Sequence, residues 1–502
     1  MKFSELISDI LTPDGETSAG AVLTGAVLAG EPVEVTGPNV TIAGLTADSR
    51  QVEAGFLFAG LPGVAADGAR FIPKALAAGA SAIVTHPSYQ NYIPDDIAVV
   101  KHPDPRLVLA KLAAKYYAPL PEIVMGVTGT NGKTSVASFV RQIWLGLGIN
   151  GASLGTIGVV SKSGERKLAH TTPDPVTLHE IIHELVGEGV DHLVLEASSH
   201  GLAQRRLDGM TFKAAAFTNI TRDHLDYHGS FEAYFAEKKR LFSELLEPDG
   251  VAVIDADVEG ADEIIDICNA RMINVMTIGE QGRYLNVRSI ERDGFSQRLV
   301  LQHHRGVSEV SLPLVGDFQA SNALVAAALV AAGGVPLLEA LGEISELHGA
   351  KGRLEWAGDK NGAPVFIDYA HTPDALATAI EALRPYVQNR LLVVFGCGGD
   401  RDKGKRAMMG EVAISLADVS YVTDDNPRGE EASQIRSEIL VAAPGAIEIG
   451  DRALAIETAI KEMQPGDLLL VAGKGHETGQ IVGDTVLPFS DHEVVARILA
   501  TF

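Results

Sequence analysis

The sequence predicts an α/β protein of three domains, residues 1–104, 105–349 and 350–502. Length is the first observation behind this, because 502 residues exceed one ordinary core when a domain takes roughly 150. The second is alternation: from "EIVMGVTG" onward, apolar β-branched runs take turns with helical stretches, as in a doubly wound parallel sheet. The third is a restart, in which "PVFIDYA", "RLLVVFGCGGD", "DVSYVTDDN" and "GDLLLVAGKG" are apolar strands that each end in polar or glycine-rich residues. In open α/β sheets ligands bind outside the carboxyl ends of the strands, so these four ends mark chemistry.

In chain order, residues 1–104 mix short β-like runs with Gly and Pro turns. They close with "FIPKALAAGASAIVTH", a helix followed by a strand over Ser81–Thr85. The two prolines of "KHPDPR" (Lys101–Arg106) mark a linker, and "RLVLAKLAAKYY" reads as the next helix. "DHLVLEASS", "AAAFTNI" and "GVAVIDAD" are core strands, while "ALVAAALVAAGGVPLLEAL" (Ala323–Leu341) is a buried helix that stops at Gly333 and Gly334. That run is broken by Pro336 and carries Glu339, whereas a membrane span wants about 20 apolar residues, so no span is expected. "MKFSELISDI" lacks the apolar core of a signal peptide, and the only cysteines, Cys268 and Cys397, build no disulfide framework. A cytoplasmic location is therefore expected. The net charge of −24 argues against a nucleic-acid partner, which wants a basic face, but leaves small anionic ligands open.

"GVTGTNGKTS" (Gly126–Ser135) sits between a strand and a helix. Gly129 and Gly132 permit a tight turn whose N–H groups surround phosphate oxygens; Lys133 adds a point charge and Thr134 a hydroxyl for Mg²⁺. The spacing is G-x-x-G-K-T, because Val127 stands where the general phosphate-loop template has its first glycine. Two further strand ends supply acid and base. "LEASSHGLAQRR" carries Glu196, and "TNITRDHLDYHGSFEAYFAEKKRLF" carries Asp223 and His224, with Lys238 and Lys239 on the amphipathic helix that follows.

Taken in order, "GVTGTNGKTS", "LEASSHGL", "TNITRDHLDYHG", "GRLE", "DYAHTPDAL", "GCGGDRDKGKR", "DDNPR" and "AGKGHE" resemble the Mur ligases, ATP-dependent amide-bond-forming enzymes of peptidoglycan synthesis. The resemblance covers essentially the whole chain. It implies an N-terminal UDP-substrate-binding domain, a central ATP-binding domain and a C-terminal, Rossmann-like amino-acid-binding domain. It implies a monomer whose substrates are a UDP-N-acetylmuramoyl dipeptide and an amino acid, with ATP and two Mg²⁺ ions as cofactors. A substrate carboxylate would take the γ-phosphate of ATP, and an amine would displace phosphate from the acyl phosphate. By resemblance Gly129, Thr130, Asn131, Gly132, Lys133, Thr134, Ser135, Asn322, Arg353 and His371 contact ATP, with Asp368 beside them. Thr134, Glu196, His224 and Lys238 would hold magnesium, Lys238 as a carbamate; Lys239 is its neighbour, but spacing favours Lys238. "GDFQASN" departs from the family with Gln319 where Asn is commoner. Ser49 in "TADSR", the segment "ADGARF", and Thr171, Thr172, Ser198, Gln204 and Arg206 resemble the UDP-substrate contacts.

The family divides on the amine. D-N-P-R, here Asp425, Asn426, Pro427 and Arg428, resembles the enzymes that use meso-diaminopimelate, and Gly473 and Glu477 would take its far ammonium. Arg428 offers a planar fork for a carboxylate that lysine lacks, so discrimination comes from an unpaired guanidinium as much as from attraction. Arg401 resembles a second carboxylate contact, with Arg406 as its rival. A phosphate-loop kinase or a silent nucleotide-binding module would not account for the C-terminal motifs, and folylpolyglutamate synthetases lack D-N-P-R.

Overall fold

The computed structural model describes residues 1–8, 12–13, 22–63 and 67–502. The chain forms two compact units, one of Met1–Gly126, Asn150–Lys213 and Arg240–Glu247, the other of Val127–Ile149, Ala214–Lys239 and Pro248–Phe502.

In the first unit, seven strands lie in the order Thr12–Pro13, Val22–Leu28, Glu31–Thr36, Ala98–Lys101, Ala82–Thr85, Phe56–Ala59 and Gly44–Thr46. The last four run parallel to one another. Helix Pro105–Tyr116 lays Leu107, Val108, Leu109 and Leu112 into the same core as Val84, Val100 and Leu57. "KHPDPR" is accordingly a tight strand-to-helix turn and not the linker its prolines suggested. Asp104 caps the helix by accepting from the Leu107 amide at 3.2 Å, Pro105 occupies the first turn, and the buried His102 ring accepts the Asp104 amide on Nδ1 at 2.9 Å and donates Nε2–H to the Leu28 carbonyl at 3.2 Å. The same unit holds Gly151–Gly155 parallel to His192–Glu196, which puts Glu196 at a strand end, and helix Pro175–Gly187, capped by Asp174.

The second unit contains a run of neighbouring strands, Leu246–Asp255, Asn274–Gly279, Leu285–Asp293, Ser296–His303 and Gly306–Leu312. The first three are parallel and the rest form an antiparallel meander. Helix Asp317–Ala332 ends at Gly333, as its glycines suggested. Its buried alanines let it lie against helix Lys133–Gly146.

A six-stranded sheet follows in the order Glu355–Asp359, Pro364–Asp368, Leu468–Ala472, Leu391–Phe395, Val419–Val422 and Ile447–Glu448. All but its first pairing are parallel. Alternation along Leu391–Phe395 sends Leu391, Val393 and Phe395 into one core and Leu392 and Val394 into the other, so both faces are covered. The four apolar runs singled out from the sequence are its four central strands. A hairpin, Gly479–Val482 with Thr485–Pro488, stands apart from that sheet. Among the described residues no helix is long and apolar enough to cross a membrane.

Candidate nucleotide and substrate sites

The phosphate loop is braced from behind by the segment after strand Phe212–Phe217. The Asn131 amide donates to Asn219 Oδ1 at 2.9 Å, Thr218 Oγ1 to the Asn131 carbonyl at 2.5 Å, and the Thr221 amide to Thr130 Oγ1 at 2.9 Å. Two glycines are forced by this closeness. Gly129 has φ +151° and a Cβ there would stand 2.0 Å from Thr218 Oγ1; Gly132 has φ +87° and a Cβ there would stand 2.5 Å from Asn322 Oδ1. Gly132 caps helix Lys133–Gly146 with no side-chain bond, and the first-turn N–H groups of a helix form an anion site. Ser135 is buried in that turn.

Lys133 Nζ donates to the carbonyls of Gly129 at 2.9 Å and Thr130 at 2.7 Å. Lys238 is wholly buried, and its Nζ donates to the same Gly129 carbonyl at 2.6 Å while lying 4.5 Å above the Tyr234 ring. Two ammonium groups on one carbonyl is an uneasy arrangement. Burial, aided by the Lys133 charge, drives the Lys238 pKa well below its ordinary value. His224 has a left-handed backbone, φ +52°, and its Nε2 lies 3.3 Å from Asp223 Oδ2. Burial raises the Asp223 carboxyl, but His224, His371 and Lys133 outweigh it and hold it below the ordinary value.

Arg353 reaches Thr134 Oγ1 at 3.3 Å and stacks its guanidinium 4.6 Å over Tyr369. Gln319, the family departure, donates to the Arg353 carbonyl at 3.1 Å and accepts from Asn322 Nδ2 at 3.3 Å. Asp368, raised by burial, accepts from the Leu354 and Ala370 amides. His371, its pKa lowered by burial and the Lys405 ammonium, donates Nδ1–H to the Tyr369 carbonyl at 2.9 Å. The structure thus brings Gly129, Thr130, Asn131, Gly132, Lys133, Thr134, Asn322, Arg353, His224 and Lys238 to one region of the second unit.

In the first unit, Thr171, Thr172, Ser198, Gln204, Arg206 and Glu196 converge. Thr172 Oγ1 donates to the Glu196 carbonyl at 2.8 Å and pairs with Ser198 Oγ at 2.9 Å. Arg206 donates to the Thr172 carbonyl at 2.5 Å and to Gln204 Oε1 at 2.8 Å. Thr156, which the motifs did not single out, holds the buried Glu196 carboxylate, its amide on Oε1 at 2.8 Å and its hydroxyl on Oε2 at 3.0 Å, and touches Thr171 Oγ1 at 3.1 Å. Ser49 is buried in the turn after strand Gly44–Thr46, away from that cluster in sequence, beside Asp48, whose carboxyl the Arg50 guanidinium holds at about 2. Of "ADGARF", Ala66 lies outside the described residues, and Asp67 caps the turn by accepting from the Ala69 amide at 3.0 Å.

At the C-terminal strand ends, Arg428 has φ +51° and its Nη1 donates to the carbonyls of Gly399 at 3.0 Å and Asn426 at 3.4 Å. Its Nε and Nη2 have no hydrogen-bond partner among the described residues. The hairpin fixes its backbone: Arg428 N donates to Ile481 O at 3.0 Å and Gly483 N to Arg428 O at 2.8 Å. Asn426 Nδ2 donates to Glu477 Oε2 at 2.9 Å. At Gly473, φ +115°, a Cβ would stand 2.8 Å from Asp425 Oδ2. Arg401 is exposed and bonds the Asp400 carbonyl at 3.0 Å. Its rival Arg406 is wholly buried, its two terminal nitrogens bonded to Glu430 and Glu438, which keeps it from meeting a substrate in solvent. Lys474, missed from sequence, is wholly buried between Asn426 and Glu477.

Residues 41–117 match the Mur ligase family, catalytic domain; 127–330 the Mur ligase middle domain; and 352–475 the Mur ligase, glutamate ligase domain. A UDP-N-acetylmuramoyl-L-alanyl-D-glutamate--2,6-diaminopimelate ligase of Agrobacterium fabrum (strain C58) is 51% identical over 92% of this chain and 94% of its own. A relative of the same name from Bradyrhizobium diazoefficiens is 52% identical over 92% of this chain and 95% of its own. The solved structure of a ligase so named shares 32% identity with a TM-score of 0.67, over 92% of this chain and 95% of that one. MurF from Acinetobacter baumannii, 22% identical with a TM-score of 0.62 over 92% of this chain and 94% of that one, shares the fold.

Proposed function

The chain belongs to the Mur ligase family, and on that premise we propose that it joins 2,6-diaminopimelate, in its meso form, to the D-glutamyl carboxylate of UDP-N-acetylmuramoyl-L-alanyl-D-glutamate. It is an ATP-dependent acid–amino-acid ligase of peptidoglycan synthesis. The observation that carries the choice of amine is Arg428, whose guanidinium keeps one edge without a protein partner among the described residues while Glu477 lies across Asn426 from it. A zwitterionic far end, one carboxylate and one ammonium, matches that pair; the single ammonium of lysine does not.

The glutamyl carboxylate attacks the γ-phosphorus, ADP departs, and an acyl phosphate results. The amine then attacks the acyl carbon, loses a proton and expels phosphate. Lys133, now satisfied by loop carbonyls, is placed to exchange them for phosphate oxygens, and the first turn of the Lys133–Gly146 helix, which Gly132 caps without a side chain, offers its N-terminal dipole to the same phosphate. Arg353 is proposed to neutralise phosphate charge beside Thr134. Thr171, Thr172, Ser198, Gln204 and Arg206 are proposed to hold the muramoyl dipeptide, and Ser49 the uridine diphosphate end.

Magnesium prefers oxygen ligands, and among the described residues no group of three His, Cys, Asp or Glu stands ready for a metal. The Thr134 hydroxyl, the Glu196 carboxylate, His224 and a carbamate on Lys238 are proposed to hold it. The burial of Lys238 fits, since an amine disfavoured as ammonium is the form that takes up CO₂. When bound, the metal would neutralise charge on the transferring phosphoryl group. The three divisions 1–104, 105–349 and 350–502 are proposed as the UDP-substrate, ATP and amino-acid domains, working as a cytoplasmic monomer.

The test is a panel of amino acids assayed with the UDP-dipeptide and ATP. Phosphate release that depends on diaminopimelate and is weak with lysine is the expected result. Equal release with lysine would overturn the choice of amine, and no amine-dependent release would overturn the reaction.

A further inference from the structure

Lys474 is a lysine with no access to solvent, in a glycine-rich loop where an ammonium would ordinarily reach water. Its Nζ donates 3.0 Å to Asn426 Oδ1 and 3.0 Å to Glu477 Oε2. Asn426 closes the triangle, donating Nδ2 to the same Glu477 oxygen at 2.9 Å. Its Oδ1 also accepts the Ile481 amide at 2.9 Å. The amide of Asn426 can take only one orientation here: reversed, it would turn NH₂ toward an ammonium and an N–H, and carbonyl toward a carboxylate. Glu477 Oε2 is thereby held from two sides, whereas Oε1 has no hydrogen-bond partner among the described residues, and the side chain stays 29% exposed.

Charge explains why a lysine is needed. Asp425 and Glu477 put two carboxylates at this end of the sheet, with the buried Arg452 already paired to Asp491 at 2.7 Å. A buried ammonium between Asn426 and Glu477 offsets the carboxylate excess and fixes the rotamer of the one acid that faces outward. We propose that Lys474 is a positioning residue for the amino-acid substrate: it holds Glu477 so that its free oxygen meets the substrate's far ammonium, and it locks Asn426 beneath the Arg428 turn. This rests on the reading of that site as the diaminopimelate site.

The experiment compares the whole protein with Lys474→Met, Lys474→Gln and Glu477→Gln by steady-state phosphate release, varying one substrate at a time. In the methionine variant the KM for diaminopimelate is expected to rise by about thirtyfold, as for truncating one partner of a buried charge pair. The KM for ATP and for the UDP-dipeptide should stay within about twofold and kcat within about threefold, a split that general loosening of the domain would not give. In the Glu477→Gln background, Lys474→Met should add little, because both act through one carboxylate. A KM for diaminopimelate that is unchanged, or two substitutions whose effects multiply, overturns the inference while leaving the ligase reading intact if the wild type still depends on diaminopimelate. A wild type that does not use diaminopimelate overturns both. Should the methionine variant not fold, the glutamine variant, which keeps donors but no charge, carries the same expectation.

Discussion

Arg428 holds a left-handed backbone that costs a non-glycine residue on the order of 1 kcal/mol, and it keeps that conformation because both its amide and its carbonyl are bonded to the hairpin. Arg428→Ala should therefore leave the fold and the KM for ATP alone and raise the KM for diaminopimelate by roughly 30–150-fold, the worth of a charged hydrogen-bonded pair at about 2–3 kcal/mol. Gly132→Ala should instead abolish ATP use, since the new methyl would meet Asn322 Oδ1 at 2.5 Å in a backbone conformation alanine disfavours; ATP binding by calorimetry checks it. His179 makes a stability prediction. Its ring is buried in the first unit, Nε2 has no partner among the described residues, and burial, with the Lys111 charge second, lowers its pKa from 6.5 to about 4. The folded protein thus resists a proton that the unfolded chain accepts, so stability is complete above pH 6.5 and declines as pH falls from 6.5 toward 4, by about 3 kcal/mol in all. The urea midpoint should follow that decline, and His179→Gln should flatten it.

Among elements, the hairpin Gly479–Pro488 is the least expected. Nothing in "GQIVGDTVLP" names a ligand, and its exposed Val482, Val486 and Leu487 look like an ordinary surface ribbon. Yet its Ile481 amide reaches Asn426, while its Ile481 carbonyl and Gly483 amide hold the Arg428 backbone. Replacing Val482–Thr485 with a flexible glycine-serine stretch should cost diaminopimelate selectivity, measured as the ratio of kcat/KM over lysine, while ATP binding persists. Strands were legible because their β-branched runs are long and end in Gly, Asp or Asn, which is why the four C-terminal strands and the phosphate loop stand where the sequence put them. The "KHPDPR" turn was not legible as structure, because a proline pair fits a linker and a helix start equally well; only the core that Leu107 and Leu112 join separates them. Lys474 and Thr156 escaped notice for a related reason, since neither a buried lysine nor a hydroxyl on a carboxylate differs in sequence from a solvated one. Arg406 was the reverse case: the sequence offered it as the rival of Arg401 for a carboxylate, and the partners that bury it, Glu430 and Glu438, come from elsewhere in the chain.

At the scale of the molecule, the net charge of −24 is carried by a protein whose proposed substrates are themselves anions. Approach is then slowed by the overall field and rescued only by local donors such as Lys133 and Arg353. At fixed Mg²⁺, raising ionic strength from about 10 to about 150 mM shortens the screening length from roughly 30 to 8 Å, so kcat/KM for ATP should rise by about two- to threefold. A basic nucleotide-binding protein would show a fall, and a fall here would show that local charges govern encounter. The buried Arg452–Asp491 pair has a bearing on how the chain is made. Asp491 opens helix Asp491–Leu499, well downstream of the strand it serves, and Arg452 rests on the Ala472 carbonyl at the end of a central strand. Until translation delivers Asp491, a guanidinium in the middle of the sheet lacks its carboxylate, a deficit of about 3–5 kcal/mol. The C-terminal sheet therefore gains its full stability only once Asp491 has left the ribosome, and a chain cut short at residue 490 should be degraded faster than the intact one.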